Sequence, residues 1–222
     1  AYSRDIDYTR VPAERAELAF KKVLGKKPVT PEEKKALEDH LFWHAVDRAT
    51  KAGLPVKIHT GYYVGHDYMP LGRLANNPDS ASAMCRNAPG TTFVFMHLCY
   101  PDYEPMLALA KHYTNAYLDM CWGWIINPIA AKDFLKKFLV TVPLHKILTF
   151  GGDYCAVEPV LGHATMARQG IALALSELVE EGWLPLRHAM EMIDPIMHEN
   201  AGRVFRLEEK KKVLEKVPWL AH

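Results

Sequence analysis

The run Pro55-Val56-Lys57-Ile58-His59 decides the fold class, because it is a short, partly β-branched strand that directly follows a helix. That helix is predicted to begin at Thr30-Pro31-Glu32-Glu33, where Thr30 can cap the first turn and Glu33 can return the cap bond. Gly53 is expected to end it. A helix that leads straight into a strand is the repeating unit of α/β sheets.

The same alternation continues towards the C-terminus. Three more β-branched and aromatic runs predict strands at residues 92–97, 116–120 and 146–150. Helices are predicted at residues 105–112, at about 128–139 and at 161–181. Nearly continuous apolar strands separated by helices are typical of parallel sheets with right-handed crossovers, so the sequence predicts a parallel α/β fold.

The 222 residues are expected to form a single domain with three parts. Residues 1–53 form a helical lead-in, in which 12–24 can be helical and 1–11 resembles a loop. Residues 54–205 carry the alternation of strands and helices, and residues 206–222 form a charged C-terminal helix. The run Glu208-Glu209-Lys210-Lys211-Lys212 is interpreted as a solvated helix face rather than a binding tail.

Composition favours a small molecule as the binding partner. Basic and acidic residues nearly cancel, 27 against 26, which does not favour a nucleic acid or an anionic membrane. No run approaches the roughly 20 apolar residues of a membrane span, and the N-terminus has no apolar signal core, so a cytoplasmic location is expected. The four cysteines are widely spaced, which argues against a zinc knuckle or a disulfide framework.

Polar residues follow the predicted strands, at the edge where parallel α/β folds bind ligands. His59 ends the first strand, His97 the second and Asp119 the third, and Gly151-Gly152-Asp153 follows the fourth. Two imidazoles and a carboxylate suit zinc, manganese or iron, and such a metal lowers the pKa of a bound water to about 7. The two glycines can turn the backbone tightly beside a ligand, or simply end the strand.

Other residues are candidates for the substrate pocket. His163 and Arg168 lie five apart near the start of the last long helix, where Arg168 can clamp a substrate carboxylate or be merely solvated. Trp122 and Trp124 can roof a pocket or fill the core. Further candidates lie in the long loop after the first strand: Tyr62, Tyr63, His66, Asp67 and Arg73.

Catalysis by a cysteine thiol is a further possibility. Cys99, Cys121 and Cys155 each closely follow a predicted strand end and can line the same mouth. A nucleophilic Cys99 or Cys121 would need a lowered thiol pKa.

Four motifs together resemble the amidohydrolase superfamily, specifically its amidohydrolase-related branch, from about residue 54 to 207. They are Lys57-Ile58-His59-Thr60-Gly61, Phe95-Met96-His97, Phe150-Gly151-Gly152-Asp153 and Glu199-Asn200-Ala201-Gly202-Arg203-Val204-Phe205. In that family a (β/α)8 TIM-type barrel holds one or two metals on a first-strand His-x-His pair, a fourth-strand lysine or glutamate, histidines of strands five and six and an eighth-strand aspartate. The resemblance implies that His59 and His97 are ligands, and that Asp153 is a ligand that also activates water.

The chain departs from the family pattern because it contains no His-x-His. It therefore resembles the C-terminal half of the barrel, about strands five to eight. Either an N-terminal half is missing or half-barrels associate, so a homo-oligomer is an expected alternative to a truncated barrel.

The resemblance also implies a reaction class. The first hypothesis is a metal-dependent hydrolase in which a water activated by zinc, or by manganese or iron, attacks a C–N or C–O bond of a small, carboxylate-bearing substrate. A decarboxylase or a uronate isomerase on the same scaffold is the second, and an inactive fragment or oligomerisation module is the third.

Overall fold

The computed structural model describes residues 4–62 and 70–217. Within these ranges one four-stranded sheet has its strands parallel and in sequence order. The strands are β1 (Val56–Ile58), β2 (Phe93–Phe95), β3 (Ala116–Asp119) and β4 (Ile147–Leu148). The predicted parallel α/β fold is confirmed, with strands shorter than the sequence runs that identify them.

Helices precede, separate and follow the strands. In chain order they are α1 (Ala13–Leu24), α2 (Pro31–Lys51), α3 (Asn77–Asn87), α4 (Glu104–His112), α5 (Gly123–Ile126), α6 (Pro128–Thr141), α7 (Pro159–Glu180), α8 (Leu186–Asp194), α9 (Asn200–Val204) and α10 (Leu207–Leu214). A short π-helical segment, Pro195–Glu199, connects α8 to α9. None of these helices, within the described ranges, is both long and apolar enough to cross a membrane.

Helix α2 begins as its sequence predicts. The Thr30 hydroxyl accepts the backbone N–H of Glu33, and the Glu33 carboxylate accepts the backbone N–H of Thr30. Farther along the helix the buried Asp39 accepts hydrogen bonds from Arg4, Thr9 and Lys35. These bonds fix the N-terminal segment to α2 before the chain enters the sheet.

Helix α3 is not predicted from its sequence, and its buried face explains why. The buried positions 77, 80, 81, 84 and 85 have helical spacing, but three of the five residues are Asn77, Ser80 and Ala81. Small and polar residues on the inner face hide the apolar periodicity by which a helix is recognised.

The core lies on one face of the sheet. Phe93, Phe95 and Leu118 are almost completely buried and share a cluster with Phe134 and Phe138 of α6. Because side chains alternate along a strand, the residues between them point to the other face. That second face carries both polar and buried apolar side chains of the strands.

The C-terminal helices are attached to the last strand. The buried Asn200 donates both of its amide hydrogen bonds to the carbonyls of Leu144 and Ile147, and the Thr149 hydroxyl donates to the carbonyl of Ile196. These contacts hold α9 and the π-helical segment against β4. Beyond them, every residue of α10 is at least partly exposed, as expected of a charged surface helix.

Candidate metal centre

Beyond each strand the backbone passes through the left-handed region. The residues concerned are Gly61 after β1, His97–Cys99 after β2, Trp122 after β3 and Asp153 after β4, with φ between 48° and 70°. For residues other than glycine this conformation costs about 1–3 kcal/mol, and such strain concentrates at functional sites. The local backbone strain therefore indicates that a functional site lies at the carboxyl edge of the sheet.

The loops after β1 and β2 are joined by hydrogen bonds. The Thr60 hydroxyl donates to the Met96 carbonyl at 2.5 Å, and the Tyr62 N–H donates to the Tyr100 carbonyl at 2.7 Å. Gly61 is needed between them, because a Cβ at this position would lie 2.6 Å from the Cys99 carbonyl carbon.

This junction brings two of the predicted ligands together. The rings of His59 and His97 are 4.3 Å apart, measured between centroids. Burial, and then the neighbouring His97, lower the pKa of His59 to about 3. His59 is therefore a neutral imidazole at neutral pH, the form that binds metals.

The tautomer of His97 follows from its surroundings. His97 Nδ1 lies 2.8 Å from the backbone carbonyl of Cys121, and because a carbonyl can only accept, Nδ1 carries the proton. Burial lowers the pKa of His97, so Nε2 keeps its lone pair. Nε2 is buried, has no hydrogen-bond partner among the described residues and lies 3.7 Å from Oδ2 of Asp153. A histidine oriented through its other nitrogen in this way is typical of metal ligands.

Asp153 provides the carboxylate of the site. Its side chain is 50% exposed, and its backbone carbonyl accepts the indole N–H of Trp122 at 3.0 Å. Gly151 and Gly152, which precede Asp153, do not adopt a left-handed conformation; their lack of a side chain leaves room for neighbouring groups. A Cβ on Gly151 would lie 2.9 Å from Cys121 Sγ, and one on Gly152 would lie 2.9 Å from the Tyr154 ring.

In the described part of the chain one group of three potential ligands converges: His97, Cys121 and Asp153, whose ligand atoms lie within 4.8 Å of one another. His59 stands beside this group without being one of the three. A buried imidazole nitrogen with a lone pair, a carboxylate and a sulfur are a donor set that fits a divalent metal. The residues at this edge therefore fit the metal that the sequence motifs imply.

Asp119 is not a member of the converging group but is hydrogen-bonded to one of its members, Cys121. It is 1% exposed, its Oδ1 accepts the backbone N–H of Cys121, and its Oδ2 lies 2.9 Å from Lys57 Nζ. Burial raises the pKa of Asp119, and the ion pair with Lys57 opposes that rise. The ion pair therefore helps to keep a carboxylate in the position that orients Cys121.

Two of the predicted substrate residues lie near the centre. Trp122 contacts Asp153 through its indole, as described above. His163 is buried at the start of α7, where its Nδ1 is hydrogen-bonded to the Tyr154 hydroxyl and its ring lies 4.8 Å from that of Phe150. The contact with Tyr154 has no separate sequence signal beyond the position of this tyrosine directly after Asp153.

The remaining candidates are dispersed. Arg73 Nε lies 3.5 Å from a carboxylate oxygen of Asp5 in the N-terminal segment, and Arg168 is exposed on α7. Tyr62 is half-buried beside the loop after β2, whereas Trp124 belongs to the core and is completely buried. Three candidates lie outside the described residues, namely Tyr63, His66 and Asp67.

The buried thiols are protonated in this arrangement. Burial raises the pKa of Cys99 to about 12 and also raises the pKa of Cys121. Neither is activated as a free nucleophile, because nucleophilic cysteines have lowered pKa values. The sequence places Cys121 at the mouth of the site, but its position within the group of potential ligands emerges only from the fold.

Comparison with known proteins identifies the family of the chain. The profile of the amidohydrolase family matches residues 14–207. Protein fluG of Emericella nidulans is 25% identical over 164 residues, which make up 73% of this chain and 18% of fluG.

Three solved structures share the fold. A protein assigned as a metal-dependent hydrolase, from Lactobacillus casei, superposes with a TM-score of 0.70 at 21% identity, over 94% of this chain and 54% of its own. The uronate isomerase of Thermotoga maritima gives a TM-score of 0.74 at 15% identity, with coverages of 90% and 48%. The glucuronate isomerase of Caulobacter crescentus gives 0.72 at 18%, with coverages of 91% and 45%. The chain thus spans about half the length of these structures.

Proposed function

Since this chain belongs to the amidohydrolase family, we propose that it is part of a metal-dependent hydrolase that cleaves a C–N or C–O bond in a small, carboxylate-bearing molecule. The observation that carries the proposal is the state of His97. Its Nε2 is buried, retains its lone pair and faces Asp153. Such an atom requires a cation or a donor to offset its burial.

The proposed ligands are His59, His97 and Asp153, and the proposed metal is zinc, with manganese or iron as alternatives. Bound there, the metal would supply a Lewis acid and a water with a pKa of about 7. The proposed role of the half-exposed carboxylate of Asp153 is to accept the proton of the attacking water. Trp122 holds the Asp153 backbone, and the Cys121 carbonyl holds the proton of His97 on Nδ1.

We also propose that the sheet corresponds to strands five to eight of a (β/α)8 barrel. Four parallel strands in sequence order, and matches over about half of larger structures, support this correspondence. The outer strands β1 and β4 would then pair with strands from an N-terminal half of the barrel or from a second copy of the chain.

The second candidate is an isomerase or decarboxylase that acts on a sugar acid or a similar carboxylate. Its support is the fold shared with two uronate isomerases. Assays of the metal-loaded chain with amides, esters and uronates would distinguish the two candidates, because only a hydrolase releases an amine or an alcohol.

Metal analysis tests the proposed centre directly. The purified chain, or the chain reconstituted with zinc, manganese or iron, is expected to retain about one equivalent of metal, because one converging group of potential ligands lies at this edge of the described sheet. His59→Ala and His97→Ala should lower this content, whereas His188→Ala, at an exposed position on α8, should not. Retention well below one equivalent with all three metals would overturn the proposal.

A further inference from the structure

We propose that Cys121 is a thiolate ligand of this centre and that it selects zinc over manganese and magnesium. The inference rests on the metal site proposed above and extends it, because the family motifs of this sequence supply imidazole and carboxylate donors only. A sulfur donor changes which cations the site prefers.

The first support is the convergence of the donor atoms. Sγ of Cys121, a nitrogen of His97 and a carboxylate oxygen of Asp153 lie within 4.8 Å of one another. Ligands of tetrahedral zinc, at 2.0–2.3 Å from the metal, are about 3.3–3.8 Å apart. The most distant pair of these atoms therefore needs to close by at most about 1.0–1.5 Å, which side-chain rotations can provide.

The second support is the burial of the converging groups. Cys121 is 1% exposed and His97 is 3% exposed, and His97 Nε2 has no hydrogen-bond partner among the described residues. Among the three groups the half-exposed carboxylate of Asp153 meets solvent, so a metal would reach the buried nitrogen and sulfur past Asp153.

The third support is the rigid placement of Cys121. Its N–H donates to Asp119 Oδ1 at 2.9 Å, and its carbonyl accepts from His97 Nδ1 at 2.8 Å. Its sulfur occupies the space that a side chain at Gly151 would fill. The backbone of Cys121 is therefore held on both sides, which keeps the residue next to His97 while its side chain can still rotate.

Coordination replaces the proton of the thiol. The S–H bond breaks, the sulfur binds the metal and the proton passes to solvent, with no change of oxidation state. Thiolate is a soft donor that favours zinc, whereas carboxylate, carbonyl and water donors suit manganese and magnesium. The site should therefore discriminate between these ions more strongly than one built from nitrogen and oxygen alone.

Cobalt substitution tests the assignment by spectroscopy. The unmodified chain loaded with Co²⁺ should show a sulfur-to-metal charge-transfer band in the near ultraviolet. Cys121→Ser should abolish the band and weaken zinc binding by at least about 10- to 100-fold, the effect typical of losing a residue that only supports a ligand, with little effect on manganese binding. Cys99→Ser is the matched control, because Cys99 is a buried thiol at the same mouth that lies outside the converging group, and it should keep the band.

The possible results separate the two proposals. Cobalt d–d bands without a charge-transfer band would overturn the role of Cys121 and leave the metal centre standing, whereas no cobalt binding at all would overturn both. If Cys121→Ser does not fold, X-ray absorption of the zinc-loaded unmodified chain replaces it. A sulfur shell at about 2.3 Å supports the proposal, and a purely nitrogen and oxygen shell rejects it.

Discussion

Lys57 Nζ lies 2.9 Å from Asp119 Oδ2, and this ion pair connects the outer strand β1 to β3 across the intervening β2. Asp119 is nearly inaccessible, whereas the Lys57 side chain is 38% exposed. Removing the cation therefore leaves a carboxylate in the interior without the ion pair that offsets its burial.

Lys57→Met should lower the free energy of unfolding by about 2–3 kcal/mol, somewhat less than the 3–5 kcal/mol typical of fully buried pairs, because the lysine is partly solvated. Urea unfolding at neutral pH measures the loss. The double variant Lys57→Met/Asp119→Asn should recover most of it, since the buried charge is then gone. An equal loss in the single and double variants would show that the lysine contributes through packing alone.

Asp119→Ala should weaken zinc binding about 10- to 100-fold, because the Cys121 N–H loses its acceptor and the carbonyl that orients His97 is then less fixed. Asp119→Asn should retain more affinity, since its amide oxygen can still accept this N–H. Competition with a chromophoric chelator gives both constants. Equal affinities for the two variants would contradict this role of Asp119.

Gly170→Ala should destabilise the fold by about 1–3 kcal/mol or more, because the new methyl group would lie 2.1 Å from the ring of the fully buried Trp124. Gly162→Ala, in the same helix α7, has no described atom within 4 Å of the added Cβ and should stabilise it by about 0.5 kcal/mol. Thermal unfolding of the two variants provides the comparison. Similar shifts in Tm at both positions would argue against the close packing of α7 on Trp124.

Acid should destabilise the fold partly through His163. Burial lowers the pKa of His163 in the folded state, so below its ordinary value of 6.5 the unfolded chain binds more protons than the folded one. This contribution to stability is complete above pH 6.5 and is lost as the pH falls towards the folded pKa. His163→Gln should therefore lose less stability than the parent between pH 7 and pH 5 in urea unfolding. His188→Gln, at an exposed position, should follow the parent, and a His163→Gln curve parallel to the parent's would refute the assignment.

Self-association is expected if no N-terminal half is supplied, because β1 and β4 are the outer strands of the described sheet. Multi-angle light scattering should then give a mass above that of one chain, rising with concentration. Charged substitutions on the second face of the sheet, for example Tyr117→Lys, should reduce the association. A single-chain mass at every concentration would exclude it.

Local signals explain what the sequence predicts correctly. The strand around Ile58 and the cap at Thr30 depend on neighbouring residues only, and the polar residues His59 and His97 follow strand runs that are easily recognised. The family profile and the parallel sheet confirm the class of fold. The sequence overestimates strand lengths because pairing ends where neighbouring strands diverge, which depends on tertiary structure.

The position of Cys121 in the site cannot be predicted from neighbouring residues, because it depends on contacts between distant parts of the chain. Its backbone contacts reach Asp119, two residues earlier, but also His97 in the loop after β2, and its sulfur lies where a side chain on Gly151, 30 residues later, would clash. The left-handed run His97–Cys99 contains no glycine or asparagine, the residues that most often adopt this conformation, so the sequence does not predict it.

That left-handed run sets the pattern of tolerated variation around the site. At position 98 the side chain is buried but the backbone disfavours every L-residue, so a scan of all substitutions should find two opposed demands there: glycine relieves the backbone and empties the core, whereas valine or isoleucine satisfies the core and strains the backbone further. Leucine is a compromise between them. In the left-handed run after β2, few single substitutions are therefore expected to be neutral. A substitution there would need a second, compensating substitution in the core.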